Sequence, residues 1–174
     1  MLELIEEHEA TGLLAVPVQL NALNSAQAKA DYDTSTLRYV RTGGSVVSKE
    51  LVRETSARLS EGVYNTYGMT KAGPNLTFAH PSVQDEYSGT VGKESFAWEV
   101  WVVESVPLDR HPDPEATVDA GERGEIIARG PGVPEGYIDN PEAEEKNFFG
   151  VVAPHARRGP HRRGRLPLRR RSRR

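Results

Sequence analysis

The sequence predicts an α/β chain: part of a doubly wound parallel-sheet subdomain, then a small antiparallel β-barrel-like subdomain, then a disordered basic tail. Three observations lead there. The first 70 residues alternate short apolar runs with stretches of helical apolar spacing. From residue 74 onward the pattern becomes short strand-like runs punctuated by glycine and proline. Finally, residues 151–174 carry ten Arg and no acid, leaving twelve Lys and Arg against twenty-five acids in residues 1–150, a net charge of −13. The expected organisation is an α/β half-subdomain over 1–73, a β-rich subdomain over 74–150 and the tail over 151–174.

Each element follows from local chemistry. Residues 2–9 read as the end of a surface helix. The run LLAVPV at 13–18 reads as a buried strand, and 19–30 as a helix. Asp33, Thr34 and Ser35 suit a turn before a second strand at 37–41. The sequence TGGS at 42–45 is a loop. Ser48 caps a helix whose apolar stripe is Leu51, Val52, Thr55 and Leu59, with Glu54 and Arg58 paired one turn apart. Gly62 supplies a left-handed stop, and a third strand begins at Val63. Beyond Gly73, GTVGK at 89–93, EVWVVE at 99–104 and GEIIARG at 124–130 read as strands. In the second of these, Trp98, Val100 and Val102 form an apolar face, while Glu99, Trp101 and Val103 form a mixed one. Residues 105–123 form a long exposed hairpin or loop, and Asn140 opens a last helical turn toward Phe148. Nothing in 151–174 has an amphipathic period.

Composition narrows the function. No stretch approaches the ~20 apolar residues that span a bilayer. The acidic start, MLELIEEHEA, has neither the basic nor the apolar region of a signal peptide. A cytoplasmic protein is expected. The absence of cysteine removes disulfides and thiolate metal sites. The acidic body repels nucleic acid. The tail's arginines could neutralise phosphates, but no aromatic accompanies them for base stacking. The histidines His8, His80, His111, His155 and His161 show no metal-ligand spacing.

Two segments carry chemistry. In TGGS, Gly43 and Gly44 let backbone approach a flat ring or an acyl chain, at the place where open α/β sheets bind ligands. In NTYGMTK at 65–71, Tyr67 on a strand end can stack on a purine, Gly68 gives access to backbone, and the Thr70 hydroxyl can donate to a phosphate oxygen. A third stretch, GERGEIIARGPGVPEGYIDN at 121–140, is rich in turn glycines at 124, 130, 132 and 136.

Together and in this order, these segments resemble the adenylate-forming superfamily and, within it, AMP-forming acyl-CoA synthetases. The likeness runs from about residue 2 to 148. It implies a ligase that activates a carboxylic (fatty) acid with ATP, passes through an acyl-adenylate, and transfers the acyl group to coenzyme A. It also implies that Asn65, Thr66, Tyr67 and Gly68 hold adenine and AMP, that Gly43, Gly44 and Ser45 line the acyl and adenine edge, and that Thr70 touches phosphate. His80 falls in a segment that often lines the acyl pocket in the family. One position departs. The family pattern Asn-x-Tyr-Gly-x-Thr-Glu ends on a carboxylate that helps hold Mg²⁺, and here that residue is Lys71.

The resemblance leaves other parts unmatched: the Ser/Thr/Gly-rich phosphate loop ending in Pro-Lys, the ribose-binding Asp expected soon after Phe148, and the C-terminal domain with its catalytic Lys. The chain is therefore expected to be an internal, inactive portion of such an enzyme, a binding remnant, or one half of a split enzyme with a complementary polypeptide. The arginine-rich tail has the composition that off-frame translation of a GC-rich gene gives.

Overall fold

The structure, a computed structural model, describes residues 1–84, 89–107 and 110–148, and the backbone of 153–155. In chain order the elements are α1 (Leu2–Glu7), β1 (Gly12–Leu14), α2 (Pro17–Gln27), β2 (Tyr39–Gly43), α3 (Lys49–Arg58), β3 (Val63–Met69), β4 (Gly73–Ala79), α4 (Pro81–Gln84), β5 (Lys93–Glu94), β6 (Glu99–Val103), β7 (Glu125–Arg129), α5 (Pro141–Asn147) and β8 (Ala153–His155). Among the described residues the strands form a five-stranded sheet ordered β1-β2-β3-β4-β5 and a three-stranded sheet ordered β6-β7-β8. Two compact units result: Met1–Gly68 with Pro74–Lys93, and Met69–Gly73 with the described residues from Glu94 on.

In the first unit β1, β2 and β3 are parallel, with Leu13, Val40 and Val63 in register across them. Those three side chains pack with Leu20 and Leu23 of α2, Leu51 of α3, and Leu2 and Ile5 of α1 into one core. Each such side chain, fully buried, contributes about 1.5–3 kcal/mol before entropy is counted. Inside that core the Asn24 amide donates to the Thr55 hydroxyl at 2.9 Å, tying α2 to α3. The Ser48 hydroxyl accepts from the Leu51 N–H at 3.1 Å and opens α3 as expected. The Glu54–Arg58 pair forms on its outer face at 3.2 Å.

Four expectations need correction in this unit. β1 stops at Leu14 because Pro17 stands at the first turn of α2, where its missing N–H and fixed φ favour a helix start. Gly62 is not left-handed: α3 ends on Leu59 at φ −118°. It is glycine because a Cβ there would lie 2.4 Å from the Arg38 carbonyl oxygen. The GTVGK stretch gives strand only at its last residue. Gly92, at φ +79°, turns the chain so tightly that a Cβ would lie 1.7 Å from the Phe78 carbonyl oxygen. Finally, β4 was not foreseen. Its sequence GPNLTFA opens on two strand-weakening residues, yet Leu76 and Ala79 are fully buried.

The second unit holds the small antiparallel sheet. Glu99 pairs with Arg129 and Val103 with Glu125 in the β6–β7 ladder, and β8 pairs with β7. Its core is Val103 and Ile127, with Trp101 packed against them. The face of β6 that looked mixed is therefore the one that packs, and Val100 and Val102 are only half-buried. Trp101's neighbour Arg129 lies over its indole at 5.3 Å and pairs with Glu99. A single bridge from Val103 to Thr117 anchors the loop that begins at 105. Gly130 and Gly132 lie under Trp98, where added Cβ atoms would come within 2.3 and 2.7 Å of the indole. The Asn140 carboxamide accepts from the Ala143 N–H at 3.1 Å and caps α5. β8 lies within the stretch expected to be disordered, and the rest of that stretch lies outside the described residues.

Three substitutions at two positions test these assignments. Ser48→Ala removes the α3 cap and lowers unfolding free energy by about 1 kcal/mol, whereas Ser48→Gly lowers it by only a few tenths, read as a shift in denaturant midpoint. Gly130→Ala displaces the Trp98 indole, and tryptophan emission shifts accordingly.

Candidate functional site

β2 stays paired with β3 to its carboxyl end, and β3 runs on to Met69. Thr42 is in register with Asn65, and Gly43 with Thr66. The buried Thr66 hydroxyl donates to the Thr42 carbonyl at 3.0 Å, which fastens the two strand ends. Gly43 permits this: a Cβ there would lie 2.3 Å from the Thr66 carbonyl oxygen. Gly44 is glycine for another reason. Its φ is +81°, and an added Cβ would meet only Val16 Cγ1, at 3.8 Å. The loop thus turns outward into open space, and Ser45 and Val46 are exposed.

On β3, Asn65 is buried and its amide donates to the Thr90 carbonyl at 2.8 Å. Tyr67 is half-buried and Gly68 exposed. The first unit therefore brings Gly43, Gly44 and Ser45 together with Asn65, Thr66, Tyr67 and Gly68 at neighbouring strand ends. The side chains of Asn65 and Thr66 act on the chain's own carbonyls, and the Tyr67 hydroxyl oxygen is buried.

Thr70 and Lys71 belong to the second unit, in the turn after β3. Thr70 is exposed and Lys71 half-buried. The Lys71 ammonium donates to the Asn147 amide oxygen at 2.6 Å. That amide is held in turn, its nitrogen donating to the Ala143 carbonyl of α5 at 2.7 Å. Burial pulls the Lys71 pKa below the usual lysine range, and the charge of Glu125 acts in the opposite direction. Sequence reading had missed Asn147 and Glu125 as partners of Lys71. Asn147 lies 76 positions away, and no local pattern links the two.

The histidines are dispersed. His80 is exposed, shares a hydrogen bond with Ser82 at 2.8 Å and meets Tyr64 edge-on at 5.4 Å. His111 contacts the Glu145 carbonyl at 2.8 Å. His8 is exposed; the His155 side chain and His161 lie outside the described residues. Among the described residues no three His, Cys, Asp or Glu side chains cluster to hold a metal, and no helix is long and apolar enough to cross a membrane. Gln84 is a further buried polar residue the sequence gave no sign of; its amide donates to the Val63 carbonyl at 2.6 Å.

Parallel strands whose ladder closes beside a glycine loop and an aromatic–glycine step make an open α/β scaffold of the kind that binds ligands beyond its strand ends. Comparison with known proteins makes the class specific. The sequence model of the AMP-binding enzyme family matches residues 1–138. The chain is 32% identical over 152 residues to 4-coumarate–CoA ligase 5 of Oryza sativa subsp. japonica, an alignment that covers 85% of this chain and 27% of that one. It is 26% identical over 146 residues to luciferin 4-monooxygenase of Nipponoluciola cruciata, covering 83% and 25%. Among solved structures it is similar to o-succinylbenzoate coenzyme A synthetase from Bacillus subtilis in complex with AMP, with a TM-score of 0.72, 26% identity, and coverage of 87% of this chain and 29% of that one. The chain belongs to the AMP-binding, adenylate-forming enzyme family. It spans about a quarter of the length of the first two rice ligases it matches, 27% and 26%.

Two predictions follow from the geometry. Gly43→Ala forces the β2 and β3 ends apart and destabilises the fold by several kcal/mol, whereas Gly44→Ala, strained in φ but facing open space, costs about 1–2 kcal/mol; parallel denaturant titrations separate them. For Lys71, the unfolded chain binds more protons than the folded one in the window just below the usual lysine value of 10.5. Stability therefore rises as pH climbs through that window, and Lys71→Met flattens the rise in pH-dependent unfolding.

Proposed function

We propose that this chain carries the adenine- and acyl-facing part of an AMP-dependent acid–CoA ligase. The observation that carries the reading is the pairing of Gly43 with Thr66, which sets the open Gly44–Ser45 loop beside Tyr67 and Gly68. Tyr67 stacks on adenine, the Gly68 backbone lies against the nucleotide, Gly43–Ser45 line the acyl group, and Thr70 donates to phosphate. The names of similar proteins support an acid–CoA ligase, since 4-coumarate and o-succinylbenzoate are the acids named in them. A fatty acid is the alternative substrate class.

In the complete reaction a carboxylate oxygen attacks the α-phosphorus of ATP. The bond from that phosphorus to the bridging oxygen breaks, and pyrophosphate leaves. The thiol of coenzyme A then attacks the acyl carbon, AMP departs with the electron pair of the acyl C–O bond of the mixed anhydride, and the thiol proton passes to solvent or a base. Stabilising charge on the transferring phosphoryl group is the main demand. One solved relative is described in complex with ATP and a magnesium ion. The groups around Lys71 do not fit that ion. Mg²⁺ takes oxygen ligands in octahedral array, and an ammonium brings like charge and no lone pair. No step is therefore assigned to a metal here.

These residues bind nucleotide, in the cytoplasm, alone or beside a complementary polypeptide. Isothermal titration with AMP tests the reading. AMP binds the chain, Tyr67→Ala weakens it about tenfold through loss of stacking worth ~1–3 kcal/mol, and Tyr67→Phe leaves it within about twofold. Binding that is absent, or indifferent to Tyr67→Ala, defeats the proposal.

A further inference from the structure

β1 lies at one end of the five-stranded sheet, so among the described residues it has a partner strand on one side only. The parallel ladder takes the backbone groups of alternate residues. The Thr11 carbonyl accepts from the Arg38 N–H at 2.9 Å, and the Ala15 N–H donates to the Arg41 carbonyl at 3.0 Å. By the same alternation Leu13 faces β2, and the N–H and C=O of Gly12 and Leu14 point to the open side. Side chains alternate between the two faces of the sheet. Leu13 belongs to the helix-covered core, whereas Leu14 lies on the opposite face and is 66% exposed. On that face Gly12 leaves a gap that Tyr39 fills: a Cβ on Gly12 would lie 2.3 Å from Tyr39 Cζ, and the tyrosine is still 48% exposed. Open sheet edges are ordinarily guarded by charged side chains or proline. Here no ionisable side chain occurs between Glu9 and Lys29, and Pro17 stands beyond the strand.

We propose that β1 pairs with β1 of a second copy of this chain, antiparallel about a twofold axis at Leu13, so that two sheets join edge to edge. The strand is self-complementary in that register. Gly12 of one copy lies opposite Leu14 of the other, and these are the residues whose backbone groups face outward, so each of the two pairs exchanges both hydrogen bonds. Residues directly opposite each other share a face. Leu14 of each copy therefore meets the tyrosine ring that covers the glycine of the other. Any strand could take the hydrogen bonds, but this chain itself supplies the leucine that fits an aromatic-covered glycine. An isologous contact of this kind closes on itself and stops at two copies. With three residues in each strand it is small, so association is weak and depends on concentration. The inference is independent of the nucleotide reading.

The test is analytical ultracentrifugation of the full chain from about 5 to about 500 µM, at about 0.1 and about 0.5 M salt. Wild type passes reversibly from monomer to dimer, and the constant changes less than about twofold between the two salts, because no ion pair takes part. Hydrogen exchange at the Gly12 and Leu14 amides slows as the dimer forms. Leu14→Pro deletes an outward N–H together with the leucine, and Leu14→Lys keeps the N–H but places a charge at the contact. Each weakens dimerisation about tenfold or more. Tyr39→Ala weakens it about threefold. Val46→Ser removes an apolar side chain that is 92% exposed outside the strand, and leaves dimerisation unchanged. A chain that stays monomeric over the whole range, species larger than a dimer, or association that Leu14→Lys spares or that high salt abolishes would overturn the inference. Should Leu14→Pro not fold, Leu14→Lys, whose side chain points away from the core, and the wild-type exchange measurement decide.

Discussion

The contact on which the rest depends is the approach of Gly43 to the Thr66 carbonyl. Two parallel strands can end side by side only if nothing projects between their backbones at the last pair, and here a Cβ would lie 2.3 Å from that oxygen. The Thr66 hydroxyl then donates to the Thr42 carbonyl, so a buried hydrogen bond, worth about 1 kcal/mol net but more to break, holds the ends in register. Because the β2–β3 ladder closes at Gly43 and Thr66, the loop after β2 and the Tyr67–Gly68 step, where β3 runs on to Met69, emerge at the same edge. Loop, aromatic ring and strand tip are consequences of one missing side chain.

The polar residues behind this edge divide their work. Asn65, Thr66, Thr77 and Gln84 all bond to backbone carbonyls, of Thr90, Thr42, Val91 and Val63 respectively. Such buried groups must be satisfied internally, and doing so stiffens the strand ends. A motif residue that matches a family pattern therefore need not touch ligand: Asn65 serves by anchoring β3 to the turn at Thr90. Lys71 differs in kind. Its partner is a side chain on α5, and its environment is that of a positioned charge.

Much of this architecture was legible in the sequence, for reasons that can be named. α3 was readable because a cap, an apolar stripe and an ion pair one turn apart agree over ten residues. The parallel strands showed as apolar runs, and the glycine loop and NTYGMTK stood out by composition. What failed had no local signature. β4 opens on Gly-Pro and is a strand because Leu76 is buried by its neighbours. Gly62 looked like a helix stop and is instead a close approach to Arg38. The packed face of β6 is decided by Val103 meeting Ile127, which alternation alone cannot assign when both faces carry apolar residues. The candidate residues on β2 and β3 stood out by composition, and the Lys71–Asn147 hydrogen bond did not, because it joins positions 76 apart.

The central claim is that ligand meets this chain at the joined ends of β2 and β3. A ¹H–¹⁵N spectrum recorded during addition of AMP measures it directly. The account predicts saturable shifts confined to the amides of Gly43, Gly44, Ser45, Tyr67 and Gly68, with the Tyr67 ring protons moved upfield by a stacked purine. Shifts centred on α1 or on β6 and β7, or a spectrum unchanged at saturating nucleotide, would contradict it.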